Sequence, residues 1–147
     1  MNKKSGGLSG QTIIEAVIAV AIISTIIVAM VSAVTLSLGT STIAKNKSRA
    51  NQFVQEGLEA VRSIKEISWT DLTAQDGQTK GVKSVGGVWQ FTEVGDDSIV
   101  SSAPGFTRRV VIEDKGSEQV QVTVTVSWTQ GAKSLNSQNS TVFTKWK

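Results

Sequence analysis

The sequence predicts an α+β protein in which a long N-terminal helix packs on a small C-terminal antiparallel β-sheet. Three features predict this fold class. No charged residue occurs between Ala16 and Ala44. Apolar residues then recur every three or four positions up to Ile64, as on one face of a helix. From Ser68 onward, apolar and polar residues alternate with the period of two that is typical of strands.

The composition argues against catalysis. The chain of 147 residues contains no Cys, His or Tyr, so it lacks thiol nucleophiles, disulfides and the usual general base at neutral pH. We therefore expect a protein that is not an enzyme and that carries no metal or cofactor; an enzyme built on paired carboxylates ranks last. The net charge of +3 is well short of the clustered positive face of a nucleic-acid binder. Nucleic acid is thus a disfavoured partner, although the charge does not exclude it.

The charge-free run predicts a membrane-spanning helix. Its first 19 residues, Ala16 to Val34, include only three that are not apolar. As a helix they would be about 28 Å long, close to the roughly 30 Å hydrocarbon thickness of a bilayer. A buried core helix is the less favoured alternative, because so small a remainder could hardly surround a helix that is apolar on every side. We assign residues 11–44 to this transmembrane helix.

Residues 45–67 predict an amphipathic continuation of the same helix. Its apolar stripe consists of Ala50, Phe53, Val54, Gly57, Leu58, Val61 and Ile64. On the polar face, Glu59 and Arg62 are three residues apart and can form an ion pair. Gly39 and the β-branched cluster at 40–43 favour a bend between the two halves. The apolar stripe should pack on the apolar face of the sheet.

Residues 68–147 predict a sheet domain of four or five strands, hereafter the head domain. Val120 to Trp128 alternates most regularly, and Phe106 to Asp114 precedes it across a short turn. Two further strands flank Gly86 and Gly87, a hairpin signal. The remaining predicted elements are a loop at Glu93–Gly105, a polar loop at Gly131–Asn139 and a last strand at Thr141–Trp146.

Few side chains of the head domain suggest chemistry. Asp96 and Asp97, with Glu93 and Asp76, could supply oxygen ligands for calcium, but their irregular spacing favours a solvated acidic turn. Arg108 and Arg109 should point to opposite faces of their strand, with a cross-strand ion pair as the ordinary role of Arg109. The four tryptophans, Trp69, Trp89, Trp128 and Trp146, are expected to be core residues rather than a ligand platform.

The sharpest motif lies at the start of the apolar run. A removable secretory signal also begins with lysines before an apolar stretch, but its apolar core is usually about 7–15 residues long. Here Glu15 lies inside the beginning of a longer run, and a carboxylate beside a membrane helix is costly unless it has a partner. The segment Gly10-Gln11-Thr12-Ile13-Ile14-Glu15-Ala16-Val17-Ile18-Ala19-Val20 resembles the class III signal of type IV pilins and type II secretion pseudopilins.

The resemblance implies processing and assembly roles for three residues. A prepilin peptidase would remove the basic leader, residues 1–10, by cutting between Gly10 and Gln11, and would then methylate the new amine of Gln11. Glu15 would become the fifth mature residue, where the family has its glutamate. Gln11 departs from the family's common phenylalanine, and the chain lacks the cysteines of the C-terminal disulfide loop found in many pilins. A second segment, residues 50–62, resembles the helix end of bacterial minor pilins.

The resemblance also implies a function and partners. The chain would be a minor pilin or pseudopilin with a pilin-like fold, a structural subunit of a type IV pilus or related filament. It would be held in the cytoplasmic (inner) membrane by a single span, with the head domain outside, and would then enter a filament at the cell surface. Its partners would be the prepilin peptidase, other pilin subunits and the inner-membrane assembly platform.

Simpler alternatives remain open from the residues alone. The chain could be a single-pass, membrane-anchored extracytoplasmic binding module, or a secreted domain cut near residues 31–33. Glu15 could merely be a favourable charge at the N-terminal end of the helix dipole. Gly10 could be one more flexible glycine of the leader.

Overall fold

The computed structural model describes residues 9–94, 97–98, 103, 105–116 and 118–145 of the chain. The chain divides into two units, Met1–Thr42 and Ile43–Lys147. Helix α1 (Ser9–Ile67) belongs to both, and its helical backbone continues without a break at Gly39. The predicted long helix and the α+β fold class are confirmed.

The head domain contains a short helix and an antiparallel sheet. Helix α2 (Trp69–Thr73) follows α1 directly. The strands are β1 (Thr79–Val85), β2 (Val88–Val94), β3 (Asp97–Ser98), β4 (Phe106–Gly116), β5 (Gln119–Gln130) and β6 (Lys133–Thr144). Among the described residues the sheet order is β2-β1-β4-β5-β6, and β3 pairs separately with β4. All of the pairings are antiparallel.

The core lies between the second half of α1 and the sheet. Every second residue of β5 from Val120 to Trp128 is buried, as the period of two predicts. Opposite them, the predicted stripe of α1 is buried, apart from Phe53, which is half-buried and packs on the core. Full burial of each aliphatic side chain contributes roughly 1.5–3 kcal/mol, so this contact dominates the stability of the head domain.

The glycine pair forms the predicted hairpin turn. Val85 and Val88 face each other at the ends of β1 and β2. Gly86 and Gly87 between them have φ angles of 60° and 84°, which suit a type I′ turn. Side chains with a Cβ rarely adopt two successive positive φ angles, which explains why both positions are glycine.

The predicted polar loop at Gly131–Asn139 is wrong. Residues 133–144 form β6, and each of them pairs with a residue of β5 between Gln119 and Gln130. The segment lacks apolar alternation because β6 is an edge strand on which Phe143 is the one buried residue. Hydrogen bonds to β5 therefore make residues 133–144 a strand, although the side-chain pattern of this segment does not indicate one.

Two smaller differences concern the ends of the sheet. The loop predicted at Glu93–Gly105 is wrong in part, because Glu93 and Val94 belong to β2, and Asp97 and Ser98 form β3. Helix α2 was not predicted, although Ser68 caps it by accepting a hydrogen bond from the backbone N–H of Asp71 at 3.2 Å. Ser117, Pro104 and Trp146, which the sequence places in a turn, a loop and the last strand, lie outside the described residues.

Arg108 connects three elements inside the head domain. Its side chain is only 4% exposed. Nη2 donates to the carbonyl oxygen of Val82 on β1 at 3.0 Å, and Nη1 donates to Oε1 of Glu56 on α1 at 3.3 Å. Arg109 is exposed, so the prediction of opposite faces is confirmed. A buried guanidinium is costly without a countercharge, and the Glu56 carboxylate offsets part of the free-energy cost of burying Arg108.

We expect Glu56→Gln to lower the free energy of unfolding by about 1 kcal/mol, because an amide replaces the countercharge of a buried cation. The effect is modest because the Glu56 side chain is 45% exposed and water can partly replace it. Glu59→Gln is the matched control, since Glu59 pairs with Arg62 at 2.8 Å and both side chains are more than half exposed. Urea midpoints measure both changes. Equal shifts in the two variants would contradict a special role for Glu56.

Candidate membrane and assembly segment

The predicted processing and assembly residues lie at the start of α1. Gly10 and Gln11 belong to the first turn of the helix, and Glu15 follows one turn after Gln11. Residues four apart lie on the same side of a helix, so positions 11 and 15 are neighbours along its surface. The Glu15 side chain is exposed. The one-turn spacing expected from the sequence is therefore present in the backbone.

The apolar part of α1 presents its side chains outward. Every residue from Thr12 to Lys45 is exposed, including Ile13 at 65% and Leu36 at 73%. Soluble monomeric proteins rarely expose apolar patches larger than a few hundred Å². Within the described chain, α1 is the one helix that is long and apolar enough to cross a membrane, by length and composition alone. The residues assigned to a membrane span are thus free of contacts that would make them a protein core.

The hydroxyl groups of residues 16–35 are satisfied within the helix. Ser24 donates to the carbonyl oxygen of Val20 at 2.7 Å, and Ser32 donates to that of Val28 at 2.9 Å. Thr25 and Thr35 donate in the same way to carbonyl oxygens three and four residues earlier. Such internal bonds remove the penalty of an unpaired donor in hydrocarbon. These hydroxyls need no partner outside the helix.

Glu15 differs from those hydroxyls. Its carboxylate has no hydrogen bond and no ion pair with any residue that the structure describes. On the same side of the helix, three and four residues after Glu15, lie the apolar side chains of Ile18 and Ala19. A carboxylate among apolar groups requires water or a cation. Among the described residues, no cation pairs with Glu15.

The weaker candidate sites have structural roles where the structure describes them. The Asp76 carboxylate accepts a hydrogen bond from the backbone N–H of Asp114 at 2.7 Å, which ties the β1 approach to β4. Asp96 and the Asp97 side chain lie outside the described residues. No group of three or more acidic ligands close enough to hold a metal occurs in the described part of the chain. The core role predicted for the tryptophans is confirmed for Trp128, which is buried, and for Trp69 and Trp89, which pack on the core.

Two contacts between α1 and the sheet could not be predicted from the sequence. One is the close approach of Gly57 to β5, which a periodic pattern cannot show. The other is the position of the β5–β6 turn: Asn46 Nδ2 on α1 donates to Gln130 Oε1 at 3.4 Å. That contact brings the β5–β6 turn, with Lys133, against the part of α1 that carries Lys45 and Lys47.

No protein-family model, no curated protein and no solved structure matches the chain.

Proposed function

We propose that this chain is a minor pilin or pseudopilin, a structural, non-enzymatic subunit of a type IV pilus or related filament. The observation that carries the proposal is the carboxylate of Glu15 at the start of residues 12–44, a part of α1 that has no other charged residue. The segment around it resembles the class III prepilin signal. A helix that served only as an anchor would gain nothing from this carboxylate, because an ionised group is costly there.

The chemistry of processing provides the missing cation. Hydrolysis of the Gly10–Gln11 peptide bond by a prepilin peptidase consumes one water and leaves a carboxylate on Gly10 and an amine on Gln11. The amine is protonated at neutral pH, whether or not it then receives a methyl group. It begins the mature helix one turn from Glu15. It can neutralise Glu15 of its own chain or that of a neighbouring subunit.

Pairing between subunits would fix the axial position of neighbouring helices. In a low-dielectric surrounding, an unpaired charge is costly, whereas a well-placed pair is tolerated. Two apolar helices could otherwise slide along each other with little change in energy. Contacts of this kind are heterologous, because the amine of one subunit meets the carboxylate of the next, and they build open helical assemblies.

The proposed location follows from the same helix. The precursor is held in the cytoplasmic membrane by residues 13–34, with the head domain outside. After cleavage, the helix exchanges lipid contacts for contacts with other apolar helices in the filament. The prepilin peptidase, the assembly platform and a major pilin are the partners that this route requires.

The mass of the mature N-terminus tests the proposal. We expect a chain that begins at Gln11, with or without a methyl group, when the protein is purified from a cell that contains a prepilin peptidase. Gly10→Val should leave the leader attached, whereas Gly7→Val, the matched change within the leader, should be processed normally. An intact Met1 in the unaltered protein would instead indicate a simple membrane-anchored binding module. A terminus near Val34 would indicate a secreted domain.

A further inference from the structure

Three lysines lie on the two elements that meet where α1 contacts the β5–β6 turn. Lys45 and Lys47 are on α1, and Lys133 is the first residue of β6. Gln130 and Lys133 face each other across the β5–β6 turn, and the hydrogen bond from Asn46 holds Gln130 against α1. The turn therefore brings the backbone of Lys133 beside the part of α1 that carries the two helix lysines. We refer to Lys45, Lys47 and Lys133 as the basal lysines.

The basal lysines have no countercharge in the described part of the chain. All three are exposed, and none forms an ion pair or a hydrogen bond with a described residue. Arg49, one turn after Lys45, differs from them because its guanidinium lies 5.9 Å from the centre of the Phe106 ring. The basal lysines are thus three exposed ammonium groups that remain available to an external anion.

Their position along the chain indicates which anion they meet. The charge-free segment ends at Ala44, and Lys45 follows it directly. If residues 13–34 span the bilayer, as the proposed function requires, about ten residues separate the hydrocarbon from Lys45, and this is the side of the membrane on which the head domain lies. Ten helical residues rise about 15 Å, and the thickness of the headgroup layer together with the reach of a lysine side chain covers most of that distance.

We propose that the basal lysines bind the phosphate groups of anionic lipids and hold the head domain against the membrane surface before assembly. The inference rests on the proposed membrane anchoring. It gives a reason for the cations on the outer side of the span, which the positive-inside rule does not favour. Lipid is preferred to nucleic acid as the partner because three lysines beside a span lie within reach of headgroups but do not form the extended basic face of a nucleic-acid binder.

The expected strength is modest and depends on salt. A lysine near an anionic surface contributes about a fivefold preference for the bound state, so three lysines contribute about a hundredfold. The interaction should disappear at about 1 M salt, where the screening length falls to about 3 Å. Such a weak hold suits a subunit that must later leave the membrane.

A single labelled cysteine can measure the contact, because the natural chain has none. The full chain carrying Ala132→Cys, labelled with a fluorophore, is reconstituted in vesicles of phosphatidylcholine alone or with phosphatidylglycerol. A quencher attached to lipid headgroups then reports the distance of the β5–β6 turn from the surface. Gln119→Cys is the control label, since it lies at the other end of β5, about 36 Å away along the strand.

We expect quenching at position 132, and not at 119, in vesicles that contain phosphatidylglycerol, with loss of the effect in high salt. Lys133→Gln should lower the ratio of surface-bound to released head domain about fivefold. Lys115→Gln, which removes the same charge at the β4–β5 end of the sheet, should leave the ratio unchanged.

Three results would overturn the inference. Equal quenching in the two kinds of vesicle, with the helix inserted, would overturn the lipid contact alone. Loss of quenching at position 132 when duplex DNA is added at equal ionic strength would identify a nucleic-acid surface instead. Extraction of the chain from vesicles by alkaline carbonate would overturn the proposed anchoring, and the lipid contact with it.

Discussion

Gly57→Leu is expected to destabilise the head domain by more than about 3 kcal/mol, a large part of the 5–15 kcal/mol that holds a typical domain folded. Gly57 lies on the buried stripe of α1, where the helix crosses β5 and β4. A Cβ atom at this position would lie 2.9 Å from Cγ1 of Val124 and 3.0 Å from Cδ of Arg108. Real Cβ atoms essentially never come as close as 2.9 Å to another atom, so either the helix or the sheet must move.

Neither neighbour of Gly57 can move cheaply. Val124 is fully buried in the central part of β5, and its β-branched side chain has few allowed rotamers. Arg108 is held by Val82 and Glu56, so a shift of its aliphatic part would strain both hydrogen bonds. Alanine at position 57 would meet the same clash but would gain about 1 kcal/mol of helix propensity, so we expect a smaller net loss of about 1 kcal/mol for Gly57→Ala.

Gly39→Ala is the matched control for this prediction. It lies in the same helix, and an added Cβ would have no atom within 4 Å. It should therefore leave the urea midpoint of the head domain unchanged, as read from tryptophan fluorescence of the full chain. A Gly57→Leu variant that unfolds at the same urea concentration as the unaltered protein would show that α1 does not approach β5 as closely as described.

Local periodicity predicts the parts of this fold that depend on local pattern. The stripe of α1 and the alternation of β5 each repeat often enough to determine which face is buried. Local periodicity does not predict β6, because pairing with β5, rather than the pattern of its own residues, makes this segment a strand. The ion pair of the buried Arg108 cannot be predicted from local pattern either, since its countercharge, Glu56, is 52 positions away in the sequence.

The candidate site divides in the same way. The sequence alone predicts the motif at Gly10, Gln11 and Glu15. It also predicts the one-turn spacing of positions 11 and 15, because the rise of a helix depends only on the number of residues. The structure adds that nearby hydroxyls are internally bonded and that no described residue neutralises Glu15. The proposed partner of Glu15 is created by cleavage and belongs in part to another chain, so neither one sequence nor one folded chain can display it.

Glu15→Ala is expected to leave membrane insertion intact and to reduce incorporation into filaments by more than a hundredfold. Insertion should persist because removing a carboxylate makes the span more apolar. Incorporation should fall because the amine of a neighbouring Gln11 loses its countercharge within a bundle of apolar helices. Breaking one member of a buried pair costs about 3–5 kcal/mol, and 1.4 kcal/mol corresponds to a factor of ten.

The measurement compares the chain in sheared filaments with the chain in membranes, and matched variants separate charge from packing. Glu15→Asp keeps the charge but shortens its reach, so it should assemble at an intermediate level. Glu59→Ala removes an equal charge from an exposed part of α1 and should assemble normally. Because the amine and Glu15 act as one unit, Glu15→Ala should add little to the defect of the uncleaved Gly10→Val chain. Normal incorporation of Glu15→Ala would contradict the pairing mechanism, since the helices would then keep their axial position without the Glu15 carboxylate.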